Sequence, residues 1–409
     1  MLKKYNLQIL CLIFCLILLC ACQSNESDKS VSQNSTPQQS LDEKEPQNQE
    51  KPLSQAQQIL NDMSLKEKIG QLFIIRPESL DSSLTPIQVH DPHQYGVTKI
   101  NKNMQETFNQ YPAGGIIMFS KNIINPSQIT TFTKQLQSAS QIPLFMAIDE
   151  EGGLVSRIAT NSSFQVKTYK NMTEIGKTKN PKKAQEVGKT IGTYLNQYGF
   201  NLDFAPDADI NTNPKNPIIG TRSFGTTPKL VSQMVSGAIE GFHSVDMMTS
   251  IKHFPGHGDT QTDTHLGYVG TNKTWDELLK CELIPFIDNK DKTDMIMVSH
   301  ITVKNVTDDH LPSSLSYEMI TKRLRQELGY EGIVITDSLA MGAVTNDYSP
   351  DKASLMAFQA GADILLMPED YKVAFDSIYD AVQNQKISED RINESVLKII
   401  HLKLKYHLI

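Results

Sequence analysis

Cysteine is all but missing from the body of this 409-residue chain: of five in total, only Cys281 lies beyond residue 22. No disulfide can therefore close within the folded part. A basic surplus is missing as well. The formal net charge is −7 and no lysine–arginine stripe stands out, so no nucleic acid is expected as a partner. The apolar run from Ile9 to Ala21 is too short for a comfortable membrane span. Gly256-His257-Gly258 lacks the third glycine and the following helix of a dinucleotide-binding turn. No cofactor is expected. What remains has room for one large domain or two ordinary ones.

The other four cysteines, Cys11, Cys15, Cys20 and Cys22, cluster at the N-terminus. Lys3 and Lys4 precede the short apolar run, as the charged and hydrophobic regions of a signal peptide do, here residues 1–21. Leu19-Cys20-Ala21-Cys22 resembles a bacterial lipobox, which makes Cys22 the expected lipidated residue after cleavage. The alternatives are an ordinary signal peptide or an uncleaved anchor. Acyl chains on Cys22 would hold the protein at a membrane face outside the cytoplasm. Residues 22–55 are rich in Ser, Gln, Asn, Glu, Lys and Pro, with almost no large apolar side chains. That composition buries too little surface to fold and reads as a flexible tether.

From residue 56 to 409 the composition is globular. Ser64 and Glu67 form a capping-box pattern ahead of a short helix. Short apolar runs then recur between helix-length stretches: Gly70–Ile75, Gly115–Phe119, Leu144–Ile148, Leu202–Ala205, Ser250–His253, Met295–Ser299, Gly332–Thr336 and Asp363–Met367. Most are apolar throughout, as strands covered on both faces are. Eight such strands alternating with helices predict an α/β fold, a single (β/α)8 TIM barrel. A doubly wound open sheet is the alternative. Residues 80–112 exceed an ordinary connection and read as a surface insertion.

Polar groups collect just past these runs. They are Asp149-Glu150-Glu151, Asp207 and Asp209, Lys252-His253, Ser299-His300 and Asp337-Ser338. In a barrel, the C-terminal strand ends converge on one pocket. Asp337 is either a helix N-cap or a carboxylate aimed into the mouth, where it can act as a nucleophile at an anomeric carbon. The stretch IKHFPGHGDTQTDTHLG, residues 251–267, packs Lys252, His253, His257, Asp259, Asp263 and His265 into one strand end and loop. Asp263 and His265 are two apart, so in an extended loop the carboxylate can orient the imidazole for proton transfer. The bland reading is a solvated polar loop. The same ligand-type residues fit no structural zinc spacing, and no metal is expected. Arg157 and Arg222 are each either surface cations or clamps for hydroxyls and carboxylates.

Several stretches together resemble glycoside hydrolase family 3, in its β-N-acetylglucosaminidase branch. They are GGIIMFSKNI (114–123), AIDEEGGLVSRI (147–158), LDFAPDADINTNPKNPIIGTRSFG (202–225), the 251–267 loop, IVITDSLAMGAV (333–344) and AGADILLMP (360–368). The resemblance spans roughly residues 55–409, and KHFPGHG followed by D-x-H is its most specific part. It implies a TIM barrel and a retaining mechanism. It implies Asp337 as nucleophile, His265 as acid/base with Asp263 as partner, and Asp149, Arg157, Arg222, Lys252 and His253 as residues holding N-acetylglucosamine. Many family 3 β-glucosidases take a carboxylate acid/base from a second domain. No such stretch follows the barrel in this sequence, and the loop dyad fits the N-acetylglucosaminidase branch. The expected substrate is a carbohydrate, a peptidoglycan or chitin-type fragment. The alternatives are a β-glucosidase or other family 3 β-glycosidase, a phosphorolytic variant, and a lipoprotein that binds sugar without cleaving it. The family often has Gln where Glu150 stands and Arg where Leu154 stands, departures that bear on substrate preference rather than catalysis.

Overall fold

The apolar runs become strands of one parallel sheet. The computed structural model describes residues 53–409. The expected signal peptide, Cys22 and the tether as far as residue 52 lie outside the described residues. Eight strands form the sheet: β1 (Phe73–Ile75), β2 (Gly115–Met118), β3 (Phe145–Ile148), β4 (Leu202–Asp203), β5 (Met248–Phe254), β6 (Met295–Val298), β7 (Ile333–Thr336) and β8 (Leu365–Leu366). All of their residues are buried. Strands β1 to β7 lie side by side in chain order, β8 pairs with β1, and every pairing is parallel. The two edges meet. Ile335 bridges Ile364 in parallel, and the Leu366 N–H donates to Thr336 Oγ1 at 3.0 Å. A doubly wound sheet would reverse its strand order, and this one does not. The fold is therefore the eight-stranded α/β barrel.

Boundaries differ where packing overrides the apolar pattern. Gly70 belongs to the helix Leu65–Gln71, capped by the expected Ser64–Glu67 box, so β1 starts only at Phe73. A Cβ at Gly70 would sit 2.2 Å from the Pro112 carbonyl oxygen, so this glycine serves helix packing. The 80–112 stretch is more than a surface insertion. It holds helices Pro86–His90 and Lys102–Gln110, buries Val89, Met104 and Phe108, and folds back over the barrel mouth. A parallel ribbon, Val269–Thr274 with Ile301–Asn305, lies outside the barrel and was not visible in the residue pattern.

The floor of the barrel is tied by one lysine. Lys403, on the helix Glu389–Lys405, is fully buried. Its Nζ donates to Gln71 Oε1 at 2.6 Å, Pro143 O at 2.6 Å and Gly114 O at 3.2 Å. These acceptors precede β1, β3 and β2, and three of them match the three donors of an ammonium. Burial pushes the amine down to about 7. Lys403→Met keeps the apolar bulk but strands three acceptors. It is expected to cost about 2–4 kcal/mol in urea unfolding. A loss below about 0.5 kcal/mol would show that the tie contributes nothing.

Candidate active site

Where the strands end at the mouth, side chains converge on a cavity of about 400 Å³. Asp149, Arg157, Arg222, Lys252, His253, His265 and Asp337 all line it. Asp263 meets it only through His265. These residues come from the ends of β3, β5 and β7 and from the loops after β3, β4 and β5, as the recurrence of polar residues past each run implied.

Asp337 follows β7 directly. Its N–H donates to Val298 O at 2.8 Å, and its Oδ1 accepts from the Ser338 N–H at 2.7 Å. Burial pushes its carboxyl up. The His300 and His253 rings and the Ser338 N–H outweigh this and hold it below the ordinary value. His300 is buried, with Nε2 2.8 Å from the Ser338 carbonyl oxygen. That nitrogen must carry the proton, so Nδ1 accepts from Ser314 Oγ at 2.6 Å. His300 therefore pins the backbone that carries Asp337.

Across the cavity lies a dense charge network centred on Glu151, which the residue-by-residue reading did not single out. Arg222 donates to it twice, Nε at 2.9 Å and Nη2 at 2.7 Å. Lys252 Nζ lies 2.7 Å from Glu151 and 2.8 Å from Asp149. Burial pushes the Glu151 carboxyl up, but the two cations prevail and hold it well below the carboxylate range. Burial likewise acts to lower Lys252, and Asp149 with Glu151 reverses this and keeps it charged. Arg157 is more loosely held, 3.7 Å from Asp149 and stacked on Phe119.

His253 Nε2 faces the Arg222 guanidinium at 3.3 Å, and Nδ1 lies 2.6 Å from Asp209. Arginine can only donate, so Nε2 carries the lone pair and Nδ1 the proton. Burial, then the nearby Arg222 charge, pushes this imidazole down to about 4 from 6.5. It is neutral in the fold and takes a proton on unfolding. Its contribution to stability is thus present above about pH 6.5 and lost as pH falls toward 4. Imidazole nitrogen NMR is expected to find His253 as the Nδ1–H form without titrating between about pH 5 and 8. A midpoint above about 6 would contradict this charge arrangement.

Glu150 turns the other way. Its carboxylate accepts from the N–H groups of Arg157 (2.5 Å), Ile158 (3.0 Å) and Ala159 (2.9 Å), and from Tyr194 Oη at 2.8 Å. Four donors suit two carboxylate oxygens better than the single oxygen of an amide. Glu150 thus shapes the turn that presents Arg157. Leu154 is 72% exposed. Neither lines the cavity, so the departures from the family pattern fall on scaffold and surface rather than on the cavity wall.

The polar loop after β5 delivers the dyad. Asp263 Oδ1 accepts from the His265 N–H at 2.8 Å and lies 2.7 Å from its Nδ1. Nδ1 therefore carries the proton, leaving Nε2 unclaimed on a side chain that is 66% exposed. The loop leans main chain to main chain on the segment that follows Asp337. Gly342 N–H donates to His265 O at 3.3 Å and Ala343 N–H to Thr264 O at 3.0 Å. A Cβ at Gly342 would stand 2.7 Å from the His265 oxygen.

The five ligand-type residues of the 251–267 stretch do not converge. His257 is taken by Thr260 at 2.7 Å and Asp259 sits 3.5 Å from Lys273. Asp207, Asp209 and His253 do gather, yet Arg222 Nε stands 3.7 Å from Asp207 and supplies positive charge there. Glu151, Asp207 and Asp209 were findable. Each lies two positions from Asp149 or from the other, and side chains two apart in extended chain share a side.

The sequence matches the glycosyl hydrolase family 3 N-terminal domain over residues 64–402. Beta-hexosaminidase A of Pseudoalteromonas piscicida is 34% identical over 339 residues, 76% of this chain and 56% of that protein. A beta-hexosaminidase of Tolumonas auensis is 32% identical, covering 71% of this chain and 85% of its own. A glycoside hydrolase family 3 beta-N-acetylglucosaminidase structure from Paenibacillus sp. FPU-7 superposes with a TM-score of 0.76 at 33% identity, over 85% of this chain and 63% of that one. This chain thus spans little more than half of the first relative and under two thirds of that structure. With a closed parallel barrel, polar residues at its strand ends and a match over most of its length, the chain belongs to glycosyl hydrolase family 3.

Proposed function

We propose that this protein is a retaining exo-β-N-acetylglucosaminidase, which removes terminal N-acetylglucosamine from peptidoglycan or chitin-type fragments. The observation that carries this reading is the Asp263–His265 pair, with His265 lining the same cavity as Asp337. Relatives named beta-hexosaminidase support it. Asp337 attacks the anomeric carbon as the glycosidic bond breaks, giving a glycosyl–Asp337 ester. His265 protonates the departing oxygen, then takes a proton from the water that hydrolyses the ester. The Asp263 carboxylate offsets the positive charge on His265 beside a cationic transition state. Arg157, Arg222 and Lys252 offer the sugar donors, Asp149 accepts from its hydroxyls and His253 lies beside them, each oriented by its own ion pair or hydrogen bond. Lipid on Cys22 keeps the enzyme at the outer face of the membrane, where cell-wall glycan lies. Loss of labelled-palmitate incorporation in Cys22→Ala is the check on that anchor.

The deciding assay compares 4-nitrophenyl N-acetyl-β-glucosaminide with the β-glucoside, using the full-length chain in detergent. Turnover of the N-acetyl substrate alone, strongly slowed in His265→Ala, is expected. Preference for the glucoside would move the protein to the β-glucosidase branch. Release of sugar phosphate in phosphate buffer would make it a phosphorylase. Binding without turnover would leave a sugar-binding lipoprotein.

A further inference from the structure

His257 lines the cavity and is buried, yet no step of the proposed hydrolysis uses it. Burial pushes its imidazole down, so the ring is neutral, with one nitrogen to donate and one to accept. Threonines of its own loop engage both. Nδ1 lies 2.7 Å from Thr260 Oγ1, and Nε2 lies 3.4 Å from Thr264 Oγ1. A hydroxyl both donates and accepts, so either tautomer completes the chain Thr260–His257–Thr264.

The root of the loop is firmly held. The His257 N–H donates to buried Asp209 at 2.5 Å, and its carbonyl accepts from Asn216 Nδ2 at 2.8 Å. The same Asn216 nitrogen reaches Thr260 O at 3.1 Å. A Cβ at Gly258 would stand 1.8 Å from Ile210 O, so this root lies flat on the stretch after β4. Past the root the chain runs at the surface. From Gln261 to Tyr268, Thr264 is the one buried residue, between the accessible Asp263 and His265. Its side chain turns toward His257. Its carbonyl accepts from the Ala343 N–H at 3.0 Å, in the stretch that follows Asp337. Thr264 therefore ties the dyad to the loop root on one side and to the stretch carrying the nucleophile on the other.

We infer that His257 and Thr264 are positioning residues for proton transfer: the Thr264 hydroxyl, seated on His257, sets the reach of His265 Nε2 to the departing glycosidic oxygen. This rests on the glycosidase reading above and adds two residues to its machinery, neither of which gives or takes the transferred proton. As the anomeric C–O bond breaks, its electron pair passes to the departing oxygen, and that oxygen takes the proton from His265 Nε2. A sugar cannot leave without that proton, whereas a dinitrophenolate can. A misplaced His265 thus slows release of the sugar and spares release of the phenolate.

The test compares kcat/KM of the full chain on diacetylchitobiose and on a dinitrophenyl N-acetyl-β-glucosaminide. Thr264→Val keeps the shape and removes the hydroxyl. It is expected to lower the disaccharide value by roughly 10- to 100-fold, the scale of a misplaced catalytic group, and the dinitrophenyl value by no more than about 3-fold. Thr264→Ser, which restores the hydroxyl, is expected to stay within about 3-fold of the wild type on both. The amide of His257→Asn reaches only the Nδ1 position, so this variant is expected to behave as Thr264→Val does. His257→Gln reaches the Nε2 position and is expected to keep part of the disaccharide rate. Because both residues act through one contact, the double variant His257→Asn, Thr264→Val is expected to be no slower than the slower single one. Equal losses on the two substrates in Thr264→Val, or none, would overturn the inference. Hydrolysis of neither substrate by the wild type would sink the glycosidase reading instead, and hydrogen exchange then decides the seating alone. The His265 and Leu266 amides donate to Asp263 Oδ1 at 2.8 Å and Asp263 O at 3.1 Å. In Thr264→Val they are expected to exchange at least about 10-fold faster, with the β5 amides unchanged. Unchanged exchange at 265 and 266 would overturn the seating.

Discussion

Asp337→Ala is expected to reduce hydrolysis of an N-acetyl-β-glucosaminide by roughly ten-thousand-fold, because the nucleophile of a two-step displacement has no substitute. The structure gives reasons beyond position. Asp337 is held by the Ser338 N–H at 2.7 Å, and the His300 and His253 rings favour its ionised form. Its replacement leaves the Glu151 network and the Asp263–His265 pair in place. The loss should therefore be chemical rather than structural, and the variant should unfold within about 1 kcal/mol of the wild type. Azide, small enough for the vacated space, is expected to restore turnover and yield a glycosyl azide of opposite anomeric configuration. Activity that persists without azide would mean another group attacks the sugar.

Glu151→Ala should do the larger structural damage. Glu151 is the common anion of Arg222 and Lys252, and its side chain is 1% exposed. Its removal leaves two buried cations competing for Asp149 and Asp207. Breaking a buried pair in this way costs about 3–5 kcal/mol. Urea unfolding reads the stability, and kcat at low temperature reads the site. Glu151→Gln keeps one acceptor oxygen and is expected to fall between. A Glu151→Ala chain of wild-type stability would show that Asp149 and Asp207 suffice for both cations.

The barrel was legible because its strands are buried on both faces. Runs such as Ile333-Val334-Ile335-Thr336 carry no competing pattern, and the β7 boundaries match the expected run to within a residue. Legibility failed where neighbours, rather than the run itself, set the outcome. Gly70 looks like the start of a strand but packs a helix against Pro112. The Val269–Thr274 ribbon is half polar, with only Val269 buried, so no apolar run announced it. At the site, single residues were readable from strand-end position, and the network among them was not. Asp149-Glu150-Glu151 shows this well: the outer two face the cavity while Glu150 faces the turn at 157–159.

The contact between Gly342 and the His265 carbonyl has a bearing on how such chains diverge. It is made by main-chain atoms, and it joins the stretch after Asp337 to the stretch that carries the proposed proton donor. A side chain at Gly342 would crowd this contact, and an inserted or deleted residue on either side would throw the two stretches out of step. Descendants of this chain should therefore vary in spelling at the exposed Gln261 and Thr262 while keeping Asp263 and the length of the loop. An engineer reshaping the mouth has the same freedom and the same prohibition.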